Sequence, residues 1–212
     1  MSAITKKLSL SVILLCILFL VSFFVFYRIA DEAVLEKETG FDEAIIAFRV
    51  KHAGPLLVRV MEYITFFGSS LFLLPAYCVL LVYFLLKKQY HFSVLIAFTG
   101  LATVALTQAL KRLFHRERPT GPLIERLTNY SFPSGHAFSS FIFCSILSYL
   151  IWKSKLRPVW KWIIIILLLL LSFAIGVSRI VLNVHFATDV IGGYCLAIMW
   201  LILFFVVFRK YL

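Results

Sequence analysis

Three short strings in the second half of this chain hold residue types suited to phosphoryl chemistry. They are Lys111-x6-Arg118-Pro119, Pro133-Ser134-Gly135-His136 and Ser178-Arg179-x5-His185-x3-Asp189. Together they supply three cations, two imidazoles and one carboxylate. A guanidinium presents planar, forked donors that match phosphate oxygens, and an ammonium adds a point charge. An imidazole serves as nucleophile, acid or base near neutral pH. The inventory is that of a site that grips a phosphate ester and cuts it.

Each string has its own local logic. His185 and Asp189 are one helical turn apart, so the carboxylate can accept the ring Nδ1–H and leave Nε2 free to attack. A structural His–Asp bond or half of a metal site would use the same pair. The cations Lys111, Arg118 and Arg179 oppose a divalent ion there and make it redundant for neutralising phosphate. Pro133-Ser134-Gly135-His136 reads as a helix start, with Ser134 as cap and Gly135 allowing close backbone approach. Free N–H groups at a helix N-terminus attract anions; a plain turn carrying an interfacial histidine is the simpler alternative. If the helix continues past Lys111, Arg118 shares its face two turns on. Lys111 or Arg112 alone fits a cation snorkelling from a helix end.

The elements that must position these strings are apolar. Of 212 residues, 62% are hydrophobic, and the mean hydropathy is +0.99. Six runs with few or no charges, 8–27, 63–86, 92–110, 137–152, 162–178 and 190–208, approach the roughly 20 residues of a membrane-spanning helix. The predicted fold class is all-α: a polytopic membrane protein with six transmembrane helices in one bundle. Barrel strands alternate polar and apolar residues, and 163–171 does not alternate. The first run exceeds the usual apolar length of a signal peptide and has no small-x-small cleavage site, so it is expected to stay as a helix. The whole chain, 1–212, is expected to form one integral-membrane domain with its motif core at about 111–189. Cys16, Cys78, Cys144 and Cys195 fall inside the runs and are read as packing residues.

The connections carry the charge. Within 30–52, Phe41, Ala44, Ile45 and Phe48 recur at helical spacing, which suits a short interfacial helix or a polar loop with apolar anchors. Gly54-Pro55 ends that segment. Gly68, Ser69, Ser70 and Pro75 are assigned structural roles in the second helix, with a kink at Pro75. A net charge of +11 invites a nucleic-acid partner, but its distribution argues against one. Lys6, Lys7, Lys87, Lys88, Lys153, Lys155, Arg157, Lys161, Arg209 and Lys210 all fall on one side of the six-helix frame, without an acid among them. By the positive-inside rule that side is the cytoplasm. The acids fall opposite: Asp31, Glu32, Glu36, Glu38, Asp42, Glu43, Glu62, Glu117, Glu125 and Asp189. Lys111 and Arg179 end outgoing helices, and His136 and His185 open returning ones. All three strings are therefore expected on one face, the extracytoplasmic one, with both termini in the cytoplasm.

Taken together and in this order, the strings resemble the signature of the type 2 phosphatidic acid phosphatase superfamily, with each family-defining position matched. The stretch Ile64-Thr65-Phe66-Phe67-Gly68-Ser69-Ser70 is similar to the small bacterial members, the phosphatidylglycerophosphatases and undecaprenyl diphosphate phosphatases. The resemblance implies a metal-independent enzyme without cofactor. His185 would be the nucleophile, Asp189 its orienting partner and His136 the general acid. Lys111, Arg118, Ser134, Gly135 and Arg179 would hold the phosphoryl oxygens. The expected partners are the bilayer of the inner (plasma) membrane and a lipid phosphate: phosphatidic acid, phosphatidylglycerophosphate or undecaprenyl diphosphate. A phosphotransferase, passing the group to a lipid or sugar hydroxyl, is the alternative within enzymes; a soluble-phosphate hydrolase like the glucose-6-phosphatase branch is weaker. Vanadium haloperoxidases share the motifs but are soluble. A transporter with a phosphate-binding vestibule would need a polar pathway, and the six runs carry no ionisable residue near their middles.

Overall fold

The computed structural model describes residues 3–37, 39–124 and 128–208. Among the charges used for orientation, Glu38, Glu125, Arg209 and Lys210 lie outside the described residues, as do the side chains of Lys6 and Lys7. The described chain folds into helices with no strand: α1 (Ala3–Arg28), a π-helical continuation (Ile29–Leu35), α2 (Gly40–His52), α3 (Pro55–Phe66), α4 (Ser70–Leu86), α5 (Tyr90–Phe114), α6 (Gly135–Lys153), α7 (Pro158–Val181) and α8 (Ala187–Phe208). By length and composition they provide six membrane spans: Leu10–Leu35, Pro55–Leu86, Tyr90–Phe114, Gly135–Lys153, Pro158–Val181 and Ala187–Phe208. The chain is an all-α integral membrane protein, as its hydropathy predicts. Large apolar side chains such as Leu71, Leu74, Leu101, Ile166, Phe173 and Val206 point outward, where bilayer tails would solvate them.

α6, α7 and α8 pack against one another; α1 covers α8, α3 runs along α7, and α4 pairs with α5. Phe138 and Ile142 of α6 meet Leu196, Ala197 and Met199 of α8 at the centre, with Phe19 and Phe26 of α1 and Leu106 and Leu110 of α5 around them. Close contact matters most where α6 begins. A Cβ on Gly193 would come within 2.8 Å of the Ser134 carbonyl oxygen. That bare backbone lets the α6 entry lie directly on α8.

Three expectations change, and one open alternative is decided. The second run is not one helix but two, α3 and α4, and Pro75 sits inside α4 without ending it. The break falls earlier, because Ser69 caps α4 by accepting the Phe72 N–H at 3.3 Å. Gly68 beside it leaves room for Ile175 and His136, each of which would crowd a Cβ there. Segment 40–52 is helical, with Phe41 and Phe48 exposed and Asp42 buried. The helix after Lys111 does not continue to Arg118: it stops at Phe114, where His115 turns left-handed at φ 50°. Arg118 therefore lies on a loop, not on Lys111's helical face. Finally, Cys144 and Cys195 are buried packing residues, but Cys16 and Cys78 face outward.

Candidate active site

Two turns and one loop bring the three strings together. α7 ends at Val181, and the following turn folds back so that the N–H groups of Val184 and His185 reach the Arg179 carbonyl at 3.1 and 3.3 Å. Asn183, left-handed at φ 55°, directs its amide to the carbonyls of Thr120 and Gly121 at 2.7 and 3.0 Å. Leu123 N–H donates to the Leu182 carbonyl at 3.0 Å. These bonds stitch the α5–α6 loop onto the turn that carries His185. Ser134 caps α6 through the Ala137 N–H at 3.5 Å, and its own N–H donates to the Asp189 carbonyl at 3.0 Å.

His185 precedes α8 and Asp189 lies in that helix's first turn. Oδ2 of Asp189 accepts the Phe186 N–H at 2.9 Å, which closes the helix start in the manner of a capping box. The same oxygen stands 3.3 Å from His185 Nδ1. Ser131 sits between them: its hydroxyl donates to Asp189 Oδ2 and lies 3.2 Å from His185 Nδ1. On the other edge of the ring, Arg118 Nη1 donates to Nε2 at 3.1 Å. An Nε2 that accepts leaves the ring proton on Nδ1, the tautomer with its lone pair directed away from the carboxylate. Burial pushes the His185 imidazole down to about 3; the Asp189 bond and charge oppose that push, and the cations Arg118 and Lys111 add to it. The ring is neutral at physiological pH.

The cations approach from three elements. Lys111 is buried, and its Nζ donates to the Tyr130 and Ser131 carbonyls. Arg118 donates to the Asn129 carbonyl at 2.8 Å, the Asn129 side chain at 2.6 Å, the Tyr130 carbonyl at 3.3 Å and the Val184 carbonyl at 2.5 Å. Burial lowers its guanidinium to about 10, opposed by the Asp189 charge, so it stays protonated. Arg179 is 2% exposed. Its Nη1 donates to Thr65 of α3 at 2.6 Å, while its buried Nε has no partner among the described residues. His136, in the first turn of α6, lies within electrostatic reach of Arg179, His185, Arg118 and Lys111. Gly135 packs on Thr107 of α5, whose Cγ2 would lie 3.2 Å from a Cβ at that position.

All eight candidate residues thus converge where α5 and α7 end and α6 and α8 begin. Four more join them that the strings do not single out: Ser131, Arg116, Thr188 and Asp42. Ser131 lies two residues before the second string, and Arg116 lies inside the first. Asp42 could have been singled out as the polar residue sharing a helical face with Ile45, Ile46 and Arg49. An apolar cleft lined by Leu95, Thr99, Ile146, Tyr149, Leu201 and Phe205 lies elsewhere. It is about 18 Å along the helices from the cluster, toward their opposite ends. Among the described residues, no three His, Cys, Asp or Glu side chains gather as a metal-binding group.

A six-span helical bundle with a histidine–carboxylate pair facing buried cations belongs to the class of membrane phosphatases. The PAP2 superfamily model matches residues 92–212. A phosphatidylglycerophosphatase B from Bacillus subtilis (strain 168) is 32% identical over 191 residues, 88% of this chain and 92% of that protein. The chain belongs to the PAP2 superfamily and is one of its phosphatases. An undecaprenyl-diphosphatase from Sulfolobus acidocaldarius is 26% identical over 76% of this chain and 75% of that protein. The crystal structure of a transmembrane PAP2-type phosphatidylglycerolphosphate phosphatase from Bacillus subtilis superposes with a TM-score of 0.76 at 29% identity, covering 92% of this chain and 96% of that one. LpxE from Aquifex aeolicus shares the fold, with a TM-score of 0.59 at 24% identity over 79% of this chain and 94% of that one.

Proposed function

We propose that this protein hydrolyses a lipid phosphate or diphosphate through a phosphohistidine on His185, without a metal. The observation that carries the reading is the two-sided environment of that ring. Nδ1 faces Asp189 and Ser131, while Nε2 faces Arg118.

Nε2 attacks phosphorus, an N–P bond forms and the P–O bond to the lipid breaks. His136 gives its proton to the departing oxygen. Asp189 stabilises the positive charge that the phosphorylated ring acquires. Lys111, Arg118 and Arg179 stabilise the charge on the equatorial oxygens, with the α6 N-terminus at Ser134 and Gly135 adding backbone donors. His136 then takes a proton from water, whose oxygen attacks phosphorus. The N–P bond breaks, and inorganic phosphate leaves with His185 neutral again. Carbonyls of Asn129, Tyr130, Ser131 and Val184 accept from Lys111 and Arg118. An arriving phosphate competes for those donors, and freeing Arg118 from Nε2 unmasks the nucleophile.

The charge distribution supports a site on the extracytoplasmic face of the inner membrane, with both termini inside and the lipid tails between helices. Phosphatidylglycerophosphate is the first substrate to assay, because a relative 32% identical over 88% of this chain is named a phosphatidylglycerophosphatase; phosphatidic acid and undecaprenyl diphosphate come next. Phosphate release from detergent-purified protein with EDTA present tests the reading. Wild type is expected to be active, and His185→Ala inactive. Labelled substrate should leave an acid-labile phosphoryl group on wild-type protein. Activity that needs a restored divalent metal, or that survives His185→Ala, overturns it.

A further inference from the structure

Asp42 is 1% exposed, although it comes from the charged first outer connection. Its carboxylate is fully engaged. Oδ1 accepts the Thr188 N–H at 3.0 Å, and Oδ2 accepts the Thr188 hydroxyl at 2.6 Å and Arg116 Nη2 at 2.8 Å. Arg116 reaches back with Nη1, which donates to Asp189 Oδ1 at 2.7 Å and to Thr188 Oγ1 at 2.7 Å. Its guanidinium carbon stacks 4.2 Å over the ring of Phe186, the residue after His185. Asp189 is thus divided between two tasks. Oδ1 meets Arg116, while Oδ2 meets His185, Ser131 and the Phe186 N–H.

Three buried charges in a row are costly unless each is matched. A lone Arg116 beside Asp189 would neutralise the carboxylate that the ring of His185 faces. Asp42 supplies the second anion, so Arg116 is shared and the triad keeps one net negative charge. That charge remains available to an imidazolium forming on His185. The rigid fork of Arg116 bridges the two carboxylates, Nη1 to Asp189 Oδ1 and Nη2 to Asp42 Oδ2, so with the Phe186 N–H on Oδ2 both oxygens of Asp189 are held in place.

We propose that Asp42 and Arg116 are positioning residues of the reaction: the buried pair holds Asp189 against His185 and keeps its negative charge directed at the ring. The proposal rests on reading His185 as the nucleophile. It makes α2, through Asp42 in its first turn, part of the catalytic apparatus.

The test uses full-length protein in detergent micelles with phosphatidylglycerophosphate, measuring kcat and KM separately. Asp42→Asn is expected to lower kcat about 10- to 100-fold, by analogy with the outer-shell partners that orient metal-bound histidines. KM should stay within about threefold, because the phosphoryl-binding cations are untouched. Arg116→Gln should behave alike. The double variant Asp42→Asn/Arg116→Gln should lose less than the product of the two single losses, because neither charge is then left unmatched. Thr188→Val, which removes a shared hydroxyl and no charge, gives a smaller kcat loss and decides the matter if Asp42→Asn fails to fold. Unchanged kcat in folded Asp42→Asn, or in Thr188→Val where Asp42→Asn fails to fold, overturns the proposal. So does a defect confined to KM. His185→Ala is assayed in parallel. If it retains activity, the nucleophile assignment fails; if it is dead while Asp42→Asn is fully active, this proposal alone fails.

Discussion

The two edges of the His185 ring face regions built on different principles. On the Nδ1 edge, Asp189 and its supporting residues are saturated with partners: Ser131, Arg116, Thr188, Asp42 and the Phe186 N–H close a buried network. On the Nε2 edge stands Arg118, which like Lys111 spends donors on loop carbonyls, and Arg179 nearby has a buried Nε with no partner among the described residues. A satisfied network is rigid and pre-organised. Buried cations leaning on carbonyls are poised for a stronger acceptor, and a phosphoryl group is one. The difference separates a finished edge, which sets the nucleophile, from an open edge, which receives the ligand.

The ring between the two edges gives the largest expected effect. His185→Ala removes the atom that both serve, and phosphate release should fall by at least about 1000-fold, since loss of a triad-type nucleophile leaves only binding and electrostatics. Malachite-green detection of released phosphate checks it. Residual activity within tenfold of wild type would break the comparison at its root.

Next come paired variants that treat the edges separately. Arg179→Gln removes a donor from the open edge and should cost about 100- to 1000-fold in kcat/KM. It should also weaken binding of tungstate, a phosphate mimic, measured by calorimetry. Asp189→Asn belongs to the finished edge and should lower kcat on the order of 1000-fold or more by disturbing the tautomer and its charge. Tungstate affinity should stay near wild type in that variant. If both variants lose oxoanion binding equally, the division into two edges is wrong.

How much of this was legible in the chain follows the range of the interactions. The six spans were readable because a bilayer demands long apolar runs, and that demand is local. The eight cluster residues were readable because they sit in three compact strings at run ends. Arg118 was found for an incomplete reason: it reaches the site on a loop because His115 ends α5 in a left-handed turn, a conformation no spacing rule announces for histidine. Asp42 and Arg116 were opaque because they meet across 74 positions. An aspartate in a charged connection looks solvated until its partner is known. The helix break at Gly68-Ser69 was hidden for a similar reason, since the neighbour requiring a bare backbone there is Ile175 on another helix.

A smaller effect tests how the edges are brought together. Gly193→Ala would place a methyl 2.8 Å from the Ser134 carbonyl oxygen, a backbone atom that cannot swing aside. Overpacking of this kind costs about 1–3 kcal/mol. The expected result is a lower melting temperature in detergent and a kcat loss of about tenfold, because the α6 entry and His136 are displaced from α8. Ala at Gly40, where nothing lies within 4 Å, is the control. Equal stability of the two variants would show that the α6–α8 approach is looser than it looks.

The smallest expected effect is on stability, and it follows from the neutral ring. His185 is held at about 3 in the folded protein by burial, against roughly 6.5 in an unfolded chain. Between those values the unfolded chain binds a proton that the folded protein refuses. The folding stability tied to His185 is therefore complete above about pH 6.5 and declines as pH falls toward 3. Asp189, Arg118, Lys111 and His136 face the same ring, and they remain in His185→Gln, so comparison with that variant isolates the ring itself. Melting temperatures measured at pH 7.5, 6 and 5 should fall more steeply for wild type than for His185→Gln. Parallel slopes would mean that the ring accepts a proton in the folded state, and the finished edge would then hold an imidazolium in place of the neutral nucleophile.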